Sequence, residues 1–392
     1  MGNSKRNISI LRWFNGLALF VPYTPVAILY FAKVSGSYAL AGSVFAITMV
    51  SSAVLDLPTG VLSDLLGKKK VLILSAAANL LSIVLFASAT SYLFLCIGAV
   101  LGGLSQALSS GNNEALFYEN VRDHHGEEHF SSALGSLNSM IQITLGASAV
   151  VGGIAAAYSY SLVMWLSVIP MALALGLSFF LTDAHRVTAP QTKPHLHLLE
   201  AWHLFLEDQR LRLVSLYSIL TEGIGGAAYQ LLPAFYATVV PTWVLGIVNL
   251  INKVSVYLSF RFAQPLIKRW GEKKLLVINH LVVQIAPLAG LTFPTAVSPF
   301  YMSADGALWG AAAVAKSALS QRSFSDTHRA TMGSMTSFAT SFMFGLASLG
   351  LGVLADYTSA RVMLIAAQIV LLPTIFLILR AYRNKKQLQG MQ

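Results

Sequence analysis

Charge is what this chain has least of. Asp, Glu, Lys and Arg make up 11% of its 392 residues, against roughly 25% in a soluble domain, and that shortage excludes a soluble globular protein. Cysteine is nearly absent too: Cys96 is alone, so no intramolecular disulfide exists, and its apolar surroundings make it a small core residue. No glycine-rich loop ending in Gly-Lys-Ser/Thr occurs, which removes ATP as an evident energy source. No His-Glu-x-x-His helix and no intramembrane Ser and His pair occur, which removes the hydrolases, so the chain is not expected to be an enzyme or to hold a cofactor. Arg6 stands where a myristoylation signal needs Ser or Thr, so no lipid anchor is expected. The basic residues form no stripe interleaved with aromatics, which excludes nucleic acid as a partner.

Long hydrophobic runs fill the space that charge leaves. Hydrophobic residues reach 55% and mean hydropathy is +0.65. A bilayer-crossing helix needs about 20 apolar residues, and such runs fall at about 8–33, 38–64, 69–89, 91–121, 130–158, 160–181, 210–237, 241–268, 273–295, 298–322, 328–356 and 358–382. The first is too long for the apolar part of a signal peptide, about 7 to 15 residues, and stays as a span. The expectation is an all-α integral membrane protein of twelve spans. It has an N-terminal half over 1–181, a linker over 182–209 and a C-terminal half over 210–392. In the linker, Leu198, Trp202 and Phe205 at helical spacing suit a short interfacial helix.

Orientation follows from the 26 Lys and Arg. Lys33 and Arg361 fall at predicted outer ends and Lys253, Arg261 and Lys316 inside spans, leaving 21 in or beside predicted cytoplasmic segments. Cytoplasmic loops carry the excess of basic residues, so both termini are expected on the cytoplasmic side of the cell (inner) membrane. The histidine-rich turn Asp123-His124-His125-Gly126-Glu127-Glu128-His129 lacks the fixed spacing of a metal site and reads as a solvated loop; no metal is expected.

The halves repeat. Gly60-Val-Leu-Ser-Asp64-Leu-Leu-Gly67-Lys68-Lys69-Lys70 reads as a tight loop between two spans, and Lys268-Arg-Trp-Gly271-Glu-Lys273-Lys274 is a worn copy of its end, with Gly67 and Gly271 standing 204 positions apart. Internal repetition of this kind is the trace of a transporter whose substrate site lies between halves near the bilayer midplane.

Six ionisable residues sit inside predicted spans: Asp56, Glu114, Glu222, Lys253, Arg261 and Lys316. Facing them all to lipid would cost roughly 15 to 20 kcal/mol, so they face inward. Their neighbours agree. Asn249, Lys253, Tyr257 and Arg261 recur every four residues, one stripe of a helix, and Ser110, Glu114 and Tyr118 form another beside Gln106 and Asn113. A third stripe runs through Ser218, Glu222 and Gly226 towards Tyr229 and Gln230. The first half is acidic where the second is basic. Interdomain ion pairs, above all Asp56 with Arg261, are one reading; proton and substrate handling is the other, with Glu222, Glu114 and Asp56 as proton carriers and Lys253 as partner to Glu222. Asn249, Lys253, Tyr257, Arg261, Lys316, Gln106, Asn113, Gln142, Tyr229, Gln230 and Trp309 are the expected substrate cavity.

The loop residues Gly60, Asp64, Gly67, Lys68 and Lys69 resemble the signature of the major facilitator superfamily, with Leu65 where a basic residue is usual. His328-Arg329-Ala330-Thr331, Asp56-Leu-Pro58-Thr59-Gly60 and Asn113-Glu114-Ala-Leu-Phe-Tyr118 are similar to its prokaryotic efflux-like branch, whereas Gly98 and Ser148-Ala149-Val-Val-Gly152-Gly153 depart from the drug and proton antiporters. The resemblance implies alternating access and a monomer embedded in the bilayer. It implies a latch in which Asp64 caps the helix opened by Arg329 and pairs with loop cations, the alternative being a solvated turn. The expected function is proton-coupled efflux of small amphipathic or drug-like molecules. Proton-coupled uptake or exchange of a polar or anionic solute is the alternative, and a non-transporting receptor or scaffold the remaining one.

Overall fold

A computed structural model describes residues 2–182, 209–303, 305–323 and 329–389, and among them every regular element is a helix. The helix expected around Leu198, Trp202 and Phe205 lies outside the described residues, as do the side chains of Asp64 and Arg329. The first half runs through α1 (Gly2–Ala18), a 3-10 turn at Thr24–Val26, α2 (Ala27–Ser35), α3 (Tyr38–Leu66), α4 (Lys68–Ala87), α5 (Tyr92–Ser109), α6 (Asn112–His125), α7 (Phe130–Ala156) and α8 (Tyr160–Phe179). The second runs through α9 (Gln209–Val239), α10 (Val244–Arg261), α11 (Ala263–Trp270), α12 (Glu272–Thr292), α13 (Ser298–Ser303), α14 (Gly306–Ser323), α15 (Arg329–Tyr357), α16 (Ala360–Leu371) and α17 (Ile375–Gln389).

Eight segments of the described residues, from Tyr38–Asp56 to Ala360–Arg383, are long and apolar enough to cross a membrane. The other four predicted spans are helical but fail that test, each for a visible reason. The first is split, with Thr24–Ser35 a shorter apolar piece. The seventh, eighth and tenth are α9, α10 and α14, which carry Glu222, Lys253 with Arg261, and Lys316. These three spans thus hold four of the six internal charges, while Asp56 and Glu114 fall in segments that pass.

Two expectations about continuity are corrected. The stretch from Gly60 to Lys70 is helix on both sides of Gly67, which alone turns the chain, at φ +88° and ψ 151°. Gly271 repeats the turn at φ +74° and ψ 154°, a conformation that glycine adopts without a Cβ penalty. The fourth span, expected as one helix over 91–121, is α5 and α6, broken where Gly111 takes φ +69°. Ser109, Ser110, Gly111, Asn112 and Asn113 are poor helix formers whose side chains compete for the backbone. Proline accounts for another interruption: a 3-10 turn at Leu372–Thr374, around Pro373, separates α16 from α17.

The chain divides into two compact units, Met1–Ala189 with Val240–Lys253, and Pro190–Val239 with Val254–Gln392. The core of the first gathers Leu11, Phe14, Leu72, Phe117, Val121 and Leu181. That of the second gathers Val214, Tyr217, Leu276, Ala311, Ala315 and Ile378. Leu72 and Leu276 hold matching places, again 204 positions apart. Outside the cores many large apolar side chains are exposed, among them Leu93, Ile143, Trp165, Phe338 and Val370, as expected where lipid tails replace water as the solvent of a helix bundle.

Within the first unit, glycines set the closest helix contacts. A Cβ on Gly153 of α7 would lie 2.6 Å from the Trp243 carbonyl oxygen and 2.8 Å from Gly246 Cα, and one on Gly246 would collide with the Ala149 carbonyl. Backbones that approach this closely are the usual signature of small residues between membrane helices.

Candidate functional site

In the second unit, α9 and α15 press together where side chains are missing. A Cβ on Gly223 would lie 2.6 Å from Met343 Cγ, and one on Gly226 3.1 Å from Phe344 Cδ2. Glu222 is next to this seam, and its carboxylate meets the Lys316 ammonium of α14 in an ion pair. Lys316 is carried by a helix that is well fixed: Ala311, Ala312, Ala315 and Leu319 are buried, and the Ala311 amide donates to Ser259 Oγ of α10 at 3.0 Å. The pair is unequally shielded, with the Lys316 side chain 23% exposed and that of Glu222 49%.

This pairing corrects the expectation that Lys253 partners Glu222. Lys253 stands at the end of the α10 segment that belongs to the first unit, with its Cβ 3.7 Å from where a Cβ on Gly146 would be. All four residues of the expected stripe are on α10. Asn249, Lys253 and Tyr257 are half-buried and Arg261 is exposed, and the Asn249 amide donates to its own helix at the Leu245 carbonyl, 3.1 Å away. Asp56 and Arg261, expected as an ion pair, are both exposed, and neither has an ion-pair partner among the described residues.

Behind Glu222, α9 is pinned by a polar chain. Thr221 Oγ1 donates to the Tyr217 carbonyl at 2.6 Å, Tyr217 Oη lies 3.3 Å from His280 Nδ1, and His280 Nε2 lies 3.2 Å from the Leu372 carbonyl. A carbonyl only accepts, so Nε2 carries the hydrogen and Nδ1 accepts from the tyrosine. Tyr229, two turns beyond Glu222, is exposed and Gln230 half-buried. Trp309 of α14 is half-exposed and meets Phe260 edge-on, ring centroids 5.9 Å apart.

The first unit is polar at the matching place. Asn15 donates to Asn113 at 3.2 Å and Asn7 to Asn120 at 2.9 Å, fastening α1 to α6 in antiparallel register, and Thr182 N donates back to Asn7 Oδ1 at 3.1 Å. Glu114 is in the first turn of α6, exposed and without an ion-pair partner among the described residues. Gln106 is exposed and Gln142 of α7 half-buried.

Sequence reasoning missed Glu119. It is 9% exposed and holds Lys68, the first lysine after Gly67, in an ion pair inside the first unit. Its place near the end of a predicted span read as solvated, although a carboxylate one turn from buried Leu116 and Val121 signals a partner. Ser63 and Asn112 are hydrogen-bonded beside it, and Thr59 Oγ1 donates to the Ala107 carbonyl at 3.1 Å, so the inner end of α3 is tied to α5 and α6. Lys69 is half-buried, and Gly60 has nothing within 4 Å of where a Cβ would stand.

Known proteins share this architecture. Superposition on a mutant of the nucleoside transporter NupG gives a TM-score of 0.81 at 14% identity, covering 97% of this chain and 100% of that one. A POT family transporter in complex with a thioalcohol-conjugated peptide gives 0.73 at 12% identity, covering 97% and 96%. A D-xylose-proton symporter gives 0.70 at 15%, covering 93% and 96%. At these identities the likeness is one of fold. No curated protein sequence matches the chain. The Major Facilitator Superfamily profile matches residues 8–338, most of the chain, and the protein therefore belongs to the Major Facilitator Superfamily, as a membrane transporter rather than an enzyme.

Proposed function

We propose that this transporter couples passage of a small polar solute to proton movement, with Glu222 carrying the proton and Lys316 holding the empty carboxylate in its charged form. The observation that carries this reading is the Glu222 and Lys316 ion pair. Two charges placed inside membrane helices are expensive unless each offsets the other, and a bundle with no use for them is as stable with apolar residues. Protonating Glu222 removes the attraction and frees Lys316 for the solute. That is one conformational bias per proton, as alternating access requires. Glu114 suits the task less, since no ion-pair partner is found for it among the described residues.

Polar cargo is favoured by the half-buried Gln230 and Tyr257 of the second unit, and by the fold shared with a nucleoside transporter, a peptide transporter and a D-xylose-proton symporter. Export of amphipathic or drug-like molecules is the second reading, favoured by the half-exposed Trp309 against Phe260. Purified protein in proteoliposomes under an imposed pH gradient, offered radiolabelled uridine, xylose, a dipeptide and a lipophilic cation, tests both. The proposal expects one of the first three to move, in a direction set by the gradient, and a protonophore to stop it. Movement of the cation alone selects the second reading, and flux indifferent to the protonophore overturns proton coupling.

A further inference from the structure

The two basic turns that repeat between the halves are used differently. In the first unit Lys68 is held by Glu119. In the second, Lys268, Arg269, Lys273 and Lys274 are all exposed, and none has an ion-pair partner among the described residues. Glu272 is the one carboxylate within this run of cations. With Lys273 and Lys274 it lines an open cavity of about 570 Å³, whose other walls are Trp270, Gly271, Val277, Leu379 and Tyr382.

We propose that this cavity binds the phosphate of an anionic membrane lipid, with Lys273 and Lys274 on the phosphate and Val277 and Leu379 under the start of the acyl chains. The local fold builds it. Leu266, Ile267 and Trp270 of α11 pack on the core of the second unit, which leaves Lys268 and Arg269 on the outer face of that short helix. Gly271, at φ +74°, then reverses the chain so that the two following lysines come alongside. A cationic rim above an apolar floor matches an amphiphile and not a free ion. Tryptophan and tyrosine at the edge of such a site are the residues that prefer the headgroup layer, and clustered Lys and Arg beside a membrane helix are the electrostatic signature of anionic lipid recognition.

The assignment stands apart from the transport reading and is tested without flux. Full-length protein in phosphatidylcholine nanodiscs is titrated with phosphatidylglycerol or with inorganic phosphate, and bound lipid and unfolding temperature are read together. Phosphatidylglycerol should bind and raise the unfolding temperature, and Lys273→Gln with Lys274→Gln should weaken its binding roughly 30-fold. Lys273→Arg with Lys274→Arg should keep it, as should a charge-matched control, Lys5→Gln with Lys70→Gln. Equal loss in the control, or no preference for phosphatidylglycerol over phosphatidylcholine, overturns the proposal. Inorganic phosphate competing as well as the lipid does would assign the cavity to a soluble anion and overturn the lipid.

Discussion

Glu222 and Lys316 are separated by 94 positions in the chain, from 222 to 316, and nothing in their spacing pairs them. What was legible at the residue scale was the cost: six ionisable groups within apolar runs must face inward, and the seventh, eighth and tenth spans hold four of them. Which cation meets which carboxylate depends on how α9, α10 and α14 rotate about their axes. That rotation is set by Gly223 on Met343 and by Ser259 on Ala311, contacts with no signature of their own. Charge reversal tests the pair directly. Glu222→Lys alone should lower the folded fraction in detergent, by about 1 to 3 kcal/mol given the partial exposure, and Glu222→Lys with Lys316→Glu should recover most of it. No recovery would show that the two charges act independently. Glu119→Gln should likewise destabilise the first unit, because it leaves Lys68 without its carboxylate, and a thermal melt that does not move would contradict the packing described here.

At the scale of the element, the places where helices stop were only partly readable. Gly67 and Gly271 were visible as repeated turns, and the structure gives both a positive φ. The Gly111 break escaped notice because Leu104 to Leu108 and Ala115 to Tyr118 continue the apolar count across it, and hydropathy reports composition, not backbone angle. Gly67→Ala should cost roughly 1 to 3 kcal/mol, since its φ and ψ belong to the region open almost only to glycine. The seam between α7 and α10 makes a stronger demand. Gly153→Val would drive a branched side chain into the backbone at Trp243 and Gly246, and helix separation or unfolding should follow, seen as loss of monodisperse protein on size exclusion. An unchanged melting temperature would mean that the two helices are not in contact there.

For the whole molecule, the all-helical membrane fold was legible, because apolar runs of about 20 residues have few other uses. The distribution of 26 Lys and Arg predicts both termini on the cytoplasmic side. A reporter active only in the cytoplasm, fused after Gln392, should give signal, and one active only in the periplasm should stay silent; the reverse pattern would invert the topology. Substrate was not legible, since cargo is chosen by a few side chains whose convergence is a property of the folded chain. The most direct test of proton coupling through Glu222 compares two fluxes in the same proteoliposomes containing Glu222→Gln. Uptake driven by a pH gradient should be abolished, while exchange of labelled for unlabelled solute without a gradient should persist, because the glutamine keeps the shape of the site and loses only the proton. Gradient-driven uptake at the wild-type rate would contradict the account.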